Sequence, residues 1–208
     1  QQSFSIEWTI GLIIAMICYG KFNAKKLTVK EVNIPSPKVT SSTCIVFVSD
    51  LHCGSNGAQH LNKIIHLIKA QHPDIILIGG DLIDSSSFNA TQLAGFGEFH
   101  QPIYFVTGNH EYYLKHSAEV IQALGDYNIQ VLSNQSVIEN GIQIIGMPDN
   151  QSNKLHKKNA EKLIDSNKFS VMMVHKPKIW EHLAKTPDLM LSGHTHNGQI
   201  WPFNWIVR

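Results

Sequence analysis

Five short strings in this 208-residue chain carry side chains that bind metal ions: Asp50-Leu51-His52, Gly80-Asp81-Leu82-Ile83-Asp84, Gly108-Asn109-His110-Glu111, His175, and Gly193-His194-Thr195-His196. Imidazole, carboxylate and amide oxygen together make a ligand set of intermediate hardness. It suits manganese, iron or zinc better than calcium, which prefers oxygen cages, or copper(I), which prefers sulfur. Asp50, His52, Asp81, Asn109, His175, His194 and His196 are more ligands than one ion needs. Two divalent ions about 3.5–4 Å apart need a shared group, and a carboxylate bridges where an imidazole cannot. Asp81, central in the order, is the natural bridge. Such a pair deprotonates a water and neutralises phosphoryl charge, which is what in-line attack on a phosphate ester requires. Glycines beside the ligands permit the tight turns that bring backbone close to ions and phosphate.

These strings need elements that bring them to one place. Apolar runs at residues 43–48, 75–78 and 103–106 end at the first three strings, and runs at 169–174 and 189–191 end at the last two. Leu61, Ile64, Ile65 and Ile68 recur at helical spacing after the first run. Further helical stretches are expected around residues 91–99 and 116–124, the latter capped by Gly125, and at 153–165. Strands alternating with helices imply βαβ units and a mainly parallel sheet, whose strand carboxyl ends share one rim. Three short runs at 130–132, 137–139 and 142–145, with no helix between them, read as hairpin-connected strands of a second sheet.

Composition narrows the classes. A hydrophobic content of 43% with 16% charged residues supports a folded core. The net charge of +1 with no long Lys/Arg block gives no basic stripe, so nucleic acid is not expected as a partner. Cys18, Cys44 and Cys53 show no Cys-x-x-Cys spacing and read as reduced thiols. Residues 8–20 are uncharged and are followed by Lys21, Lys25 and Lys26. We read residues 1–20 as a partial membrane anchor or transmembrane segment, 21–43 as a connector with one short strand near Leu27–Ile34, and 44–208 as the domain proper. The lysines place the domain on the cytoplasmic side of that membrane. The oligomeric state is not legible.

The strings DLH, GDLID, GNHE, the His175 of VHKP, and GHTH together resemble the motif set of the calcineurin-like metallophosphoesterases. The strings GNHEYY and GHTHNGQIWP look closest to a membrane-associated bacterial phosphodiesterase branch. The resemblance implies an α/β fold with a two-sheet sandwich flanked by helices. It also implies that strands completing the second sheet follow Arg208, so that an edge with Trp201, Trp205, Ile206 and Val207 stands open. One metal would be held by Asp50, His52, Asp81 and His196, and the other by Asp81, Asn109, His175 and His194. A metal-bridging hydroxide would attack a phosphodiester or phosphomonoester, with His110 as the catalytic group that meets the leaving oxygen. The cofactors implied are two divalent transition metal ions, Mn2+ first, with iron or zinc as alternatives. The substrate is a phosphate ester, lipid-linked or near the bilayer if the anchor holds.

Two alternatives stand beside this reading. One branch of the wider family hydrolyses the pyrophosphate of a UDP-linked, acylated glucosamine in lipid A synthesis, although its best-known form carries Arg where this chain has His110. The other is a non-catalytic metal-binding scaffold of the same fold. Asp84 and Glu111 read either as groups that touch substrate or metal, or as carboxylates that orient a turn or a metal-bound imidazole. Tyr112 and Tyr113 read as packing residues more readily than as the lining of a groove. His60, His66, His72, His100, His116, His156 and His182 lie outside the motifs and read as surface or hydrogen-bonding groups.

Overall fold

The computed structural model describes residues 5–24, 26–86 and 88–195. His196 and the expected open edge at Trp201, Trp205, Ile206 and Val207 lie outside the described residues. Residues 33–194 form one compact unit, and the N-terminal helix α1 (Ile6–Ala24) belongs to another. Trp8, Leu12, Ile13, Ile14 and Ile17 of α1 are all exposed. No helix among the described residues is long and apolar enough to cross a membrane. The strand expected near Leu27–Ile34 does not form, and residues 26–36 carry no regular secondary structure. An extended segment needs a ladder partner for its N–H and C=O groups, and Pro35 and Pro37 remove two donors beside it. Val39, further along, packs against the domain core, and Lys38 pairs with Asp188 at 2.7 Å.

The first sheet has the order β1 (Ile45–Val48), β2 (Ile75–Ile78), β3 (Ile103–Phe105), β4 (Ile129–Val131), with every pair parallel. The runs IVFV and IILI suit this, since β-branched side chains fit a pleated surface and parallel strands are covered on both faces. Helix α2 (Ala58–Ala70) links β1 to β2 and buries Leu61, Ile64, Ile65 and Ile68, the stripe that the spacing predicts. The segment between β2 and β3 forms a 3-10 helix over Ala90–Phe96 rather than a longer α-helix. Gly95 and Gly97 weaken α-helical continuation there. After β3 come α3 (Asn109–Tyr113) and α4 (Ser117–Ala123). Gly125 does not cap α4; a 3-10 turn carries on to Tyr127, and Asn128 at φ 61° stops it. Asparagine tolerates the left-handed region, and its side-chain amide donates to the Phe99 carbonyl at 3.0 Å.

The second sheet has the order β5 (Gln135–Glu139), β6 (Ile142–Met147), β7 (Phe169–Val174), β8 (Leu189–Leu191). β5 and β6 form an antiparallel hairpin across Asn140-Gly141, both at positive φ, and the remaining pairs are parallel. Helix α5 (Asn153–Leu163) makes the crossover from β6 to β7. The run at 130–132 therefore departs from expectation. It pairs parallel with β3 in the first sheet, because the helical stretch before it supplies a βαβ crossover. The chain changes sheets just afterwards, at Ser133-Asn134, with Asn134 at φ 53°.

Alternate side chains fill the space between the sheets: Ile75, Leu77 and Tyr104 on one side meet Ile142, Ile144 and Val171 on the other. Each such burial is worth about 1.5–3 kcal/mol relative to exposure. The opposite face of the second sheet is closed by Ala160 and Ile164, packed with Ile145, Met147, Met172 and Val174. This sandwich directs the carboxyl ends of β1, β2 and β3 toward the first three motif strings, and those of β7 and β8 toward the last two.

Candidate metal centre

Three of the five strings leave their strands through a left-handed backbone turn. Asp50 (φ 55°), His52 (φ 47°), Asp81 (φ 52°) and His194 (φ 71°) all occupy the left-handed region, which disfavours a side chain with a Cβ. Such conformations cost of order 1–3 kcal/mol each and persist where the surroundings impose them, typically at functional sites. Parallel-sheet hydrogen bonds carry on past the strand ends: Asp50 N–H donates to the Gly80 carbonyl at 3.0 Å and His52 N–H to the Asp81 carbonyl at 3.0 Å. Gly80 takes φ 93°, and a Cβ there would lie 2.6 Å from Nδ1 of His175.

Asp81 sits at the middle, 2% exposed. Its Oδ1 accepts the backbone N–H of His110 at 2.9 Å, leaving Oδ2 3.0 Å from Nε2 of His175 and 4.0 Å from Nε2 of His110. Two groups of ligand atoms converge on it. His52, Asp81 and His110 make one, and Asp81, His175 and His194 the other, with the atoms of each group within 4.8 Å of one another. The ring pairs follow the same division: His52 and His110 have centroids 4.7 Å apart, and His175 and His194 5.1 Å.

The donor atoms fit a cation. Nδ1 of His175 lies 2.9 Å from the Gly79 carbonyl, which can only accept, so the proton belongs on Nδ1 and Nε2 presents its lone pair. Among the described residues that fully buried Nε2 has no aligned hydrogen-bond partner, and it faces a carboxylate oxygen. Two lone pairs in contact away from water require a proton or a metal between them. The buried Oδ1 of Asn109 is likewise without a partner among the described residues. Burial opposes ionisation of both Asp81 and His175. Their mutual contact outweighs it, lowering the Asp81 carboxyl and raising the His175 imidazole from their ordinary ranges. Partial burial, with His175 and Lys176 nearby, pushes His194 down, toward the neutral imidazole that a metal binds.

Asp50 belongs to neither convergent group among the described residues. Its carboxylate accepts the His194 N–H at 3.1 Å and the Ser49 hydroxyl at 2.7 Å, tying the first string to the last. Asp84 reaches back to its neighbour string: Oδ2 lies 3.3 Å from Nδ1 of His52, and Oδ1 accepts the Ser55 N–H at 2.9 Å. Glu111, 1% exposed, points away from solvent and accepts three backbone N–H groups, from Gly108 (2.7 Å), Ile83 (2.9 Å) and Asp81 (3.1 Å). Burial raises its carboxyl nonetheless. Cys53 is buried beside these acids, and desolvation first, then Asp84 and Glu111, pushes its thiol up to about 12. It is a neutral thiol.

Sequence reasoning missed the Lys176–Asp149 ion pair at 2.6 Å, which no motif signals. The backbone contacts of Glu111, for which the sequence offers a turn-orienting role as one of two readings, have a local signal as well. An acid at the third helical position after a glycine N-cap can return to the N–H of that cap, the half of a capping box that glycine permits. Of the histidines outside the motifs, His156 is buried with Nε2 against the Pro148 carbonyl, a structural bond, while His66, His72, His100, His116 and His182 are exposed.

A family model described as calcineurin-like phosphoesterase matches residues 44–198. An uncharacterized metallophosphoesterase of Campylobacter jejuni is 30% identical over 97% of this chain and 57% of its own length. A Helicobacter pylori protein of the same description is 33% identical over 96% of this chain and 58% of its own. A Bos taurus transmembrane protein with metallophosphoesterase domain is 32% identical over 81% of this chain and 43% of its own. The chain thus spans a little over half the length of the two bacterial relatives and less than half of the bovine one. With the match running from β1 through every motif string, the chain belongs to the calcineurin-like phosphoesterase family.

Proposed function

We propose that this domain is a two-metal phosphoester hydrolase, and the observation that carries the reading is the convergence on Asp81 of His52 in one group and of His175 and His194 in the other. His110 of the first group is kept for the leaving oxygen, and Asp50 stands in its place among the ligands. Asp50, His52, Asp81 and His196 would hold one divalent ion and Asp81, Asn109, His175 and His194 the other, with manganese favoured by the mixed nitrogen and oxygen donors. The metals, when bound, supply an acidified water and charge neutralisation at phosphorus. The chain's own residues do the rest. Asp84 fixes the ring of His52, and Gly79 fixes the tautomer of His175. His110, 37% exposed on its side chain, stands beside Asp81 where an imidazolium can donate its Nε2 proton to the departing ester oxygen as the P–O bond breaks.

The same reading places the domain at a membrane surface. The exposed apolar side chains of α1 support this, as does the name of the bovine relative, and the lysines after residue 20 support a cytoplasmic orientation.

Manganese-loaded protein assayed on p-nitrophenyl phosphate, bis-p-nitrophenyl phosphate, a lipid-linked pyrophosphate and an alkyl phosphate tests the reading. A positioned general acid is worth about 10²–10⁴ in rate when the leaving group is a basic alkoxide, and much less for p-nitrophenolate. His110→Asn should therefore keep metal and fold, slow alkyl esters severely and slow p-nitrophenyl esters little. Equal losses on both leaving groups would refute the general-acid role, and no turnover of any ester by fully loaded protein would refute the hydrolase.

A further inference from the structure

The adjacent tyrosines that follow Glu111 are used differently. Tyr112 is half-buried, with its hydroxyl 2.8 Å from Oγ1 of Thr107. Tyr113 is 75% exposed. Packing does not account for it, because an aromatic ring stabilises a fold chiefly through the area it buries. Its position is nonetheless defined. Tyr113 is three residues beyond His110 on α3, and such residues share a helix face. The two rings meet edge to face, with centroids 5.7 Å apart and planes at 68°. His110 in turn meets His52 at 4.7 Å and 86°. A row of three rings thus leads from His52, whose side chain is 14% exposed beside Asp84, past His110 and out to Tyr113 in solvent.

We propose that Tyr113 is a recognition platform for the alcohol portion of the phosphoester, favouring substrates in which that portion carries a flat aromatic group. The inference rests on the hydrolase reading above. A proton delivered by His110 goes to the ester oxygen, so the substituent on that oxygen extends past His110, away from Asp81. Among the described residues, Tyr113 is the exposed ring that meets His110. A planar π-system laid on or against an exposed tyrosine gains an aromatic contact that an alkyl group of the same size does not.

Two phosphonates with the same charged head and different substituents test it without turnover. Calorimetric titration of manganese-loaded protein should show phenylphosphonate binding about 3- to 10-fold more tightly than methylphosphonate. Tyr113→Ala should erase that preference while leaving methylphosphonate affinity within about twofold. Tyr113→Phe should retain the preference, since the ring and not the hydroxyl carries it. Equal affinities in the unmodified protein, or a preference that survives in Tyr113→Ala, would overturn the platform and leave the hydrolase reading intact. Failure of both phosphonates to bind the loaded protein would overturn the two together.

Discussion

Oε2 of Glu111 accepts the backbone N–H of Asp81 at 3.1 Å, so that a carboxylate on α3 holds the turn that follows β2. The same oxygen takes the N–H of Gly108 and the other takes that of Ile83. One buried side chain therefore sets the distance between the turn bearing Asp81 and the turn bearing Asn109. Glu111→Ala leaves three buried donors without an acceptor, each at a cost of about 1–3 kcal/mol. We expect an overall loss of roughly 3 kcal/mol or more in urea unfolding. Glu111→Gln keeps one acceptor and sets an NH₂ against another donor, giving an intermediate loss. A Glu111→Ala protein as stable as the parent would show that these bonds contribute nothing net.

The shared position of Asp81 makes metal stoichiometry diagnostic. Asp81→Asn should lower occupancy at both positions together, leaving well under two equivalents, because an amide bridges two cations poorly. His52→Ala should strip mainly one, leaving about one equivalent. Elemental analysis of dialysed protein distinguishes them. Two full equivalents in Asp81→Asn, with activity unchanged, would remove the bridging assignment.

Gly108 has no room for a side chain. A Cβ there would collide with the Asp81 carboxylate and sit 2.6 Å from the Asp81 amide nitrogen. Gly108→Ala should cost about 1–3 kcal/mol in stability through overpacking and weaken manganese binding by displacing Asp81. Gly125→Ala is the control, since a Cβ at that position meets nothing within 4 Å. It should be neutral or stabilising by up to about 1 kcal/mol. Matching effects of the two substitutions on metal affinity would count against the close-approach account.

Away from the centre, Asp188 joins the segment before β1 to β7. Its carboxylate accepts the Ser170 N–H at 2.9 Å, the Ser170 hydroxyl at 3.0 Å and the Lys38 ammonium at 2.7 Å. Burial opposes its ionisation, but these bonds prevail and lower its pKa below the ordinary aspartate value. A lowered folded-state pKa means that the folded chain binds the proton less readily than the unfolded one, so the stabilisation is present above about pH 4 and is lost as pH falls through the folded value. Asp188→Asn should be less stable than the parent by about 1–2 kcal/mol at pH 7, with the gap closing on acidification toward pH 3. Denaturation midpoints measured across that range test it; a gap independent of pH would show that charge is not the cause.

Much of this protein is legible in one dimension. The apolar runs at β1, β2, β3, β7 and β8 and the spacing of Leu61, Ile64, Ile65 and Ile68 follow from local periodicity, and the motif strings stand at strand ends because polar residues interrupt those runs. The ligand types alone point to a mixed nitrogen and oxygen metal centre. Tertiary structure decided what depends on partners distant in the chain. β4 joined the first sheet because a pairing edge on β3 was available, which no property of residues 129–131 reveals. The segment at 27–34 stayed irregular because no ladder among the described residues receives it. The orientation of each motif side chain was decided in the same way: Glu111 turned inward because three N–H groups converge there, and Tyr113, its near neighbour, was left facing solvent beside His110. Periodicity is written along the chain, whereas hydrogen-bond partners and close approaches exist only once strands far apart in sequence lie side by side.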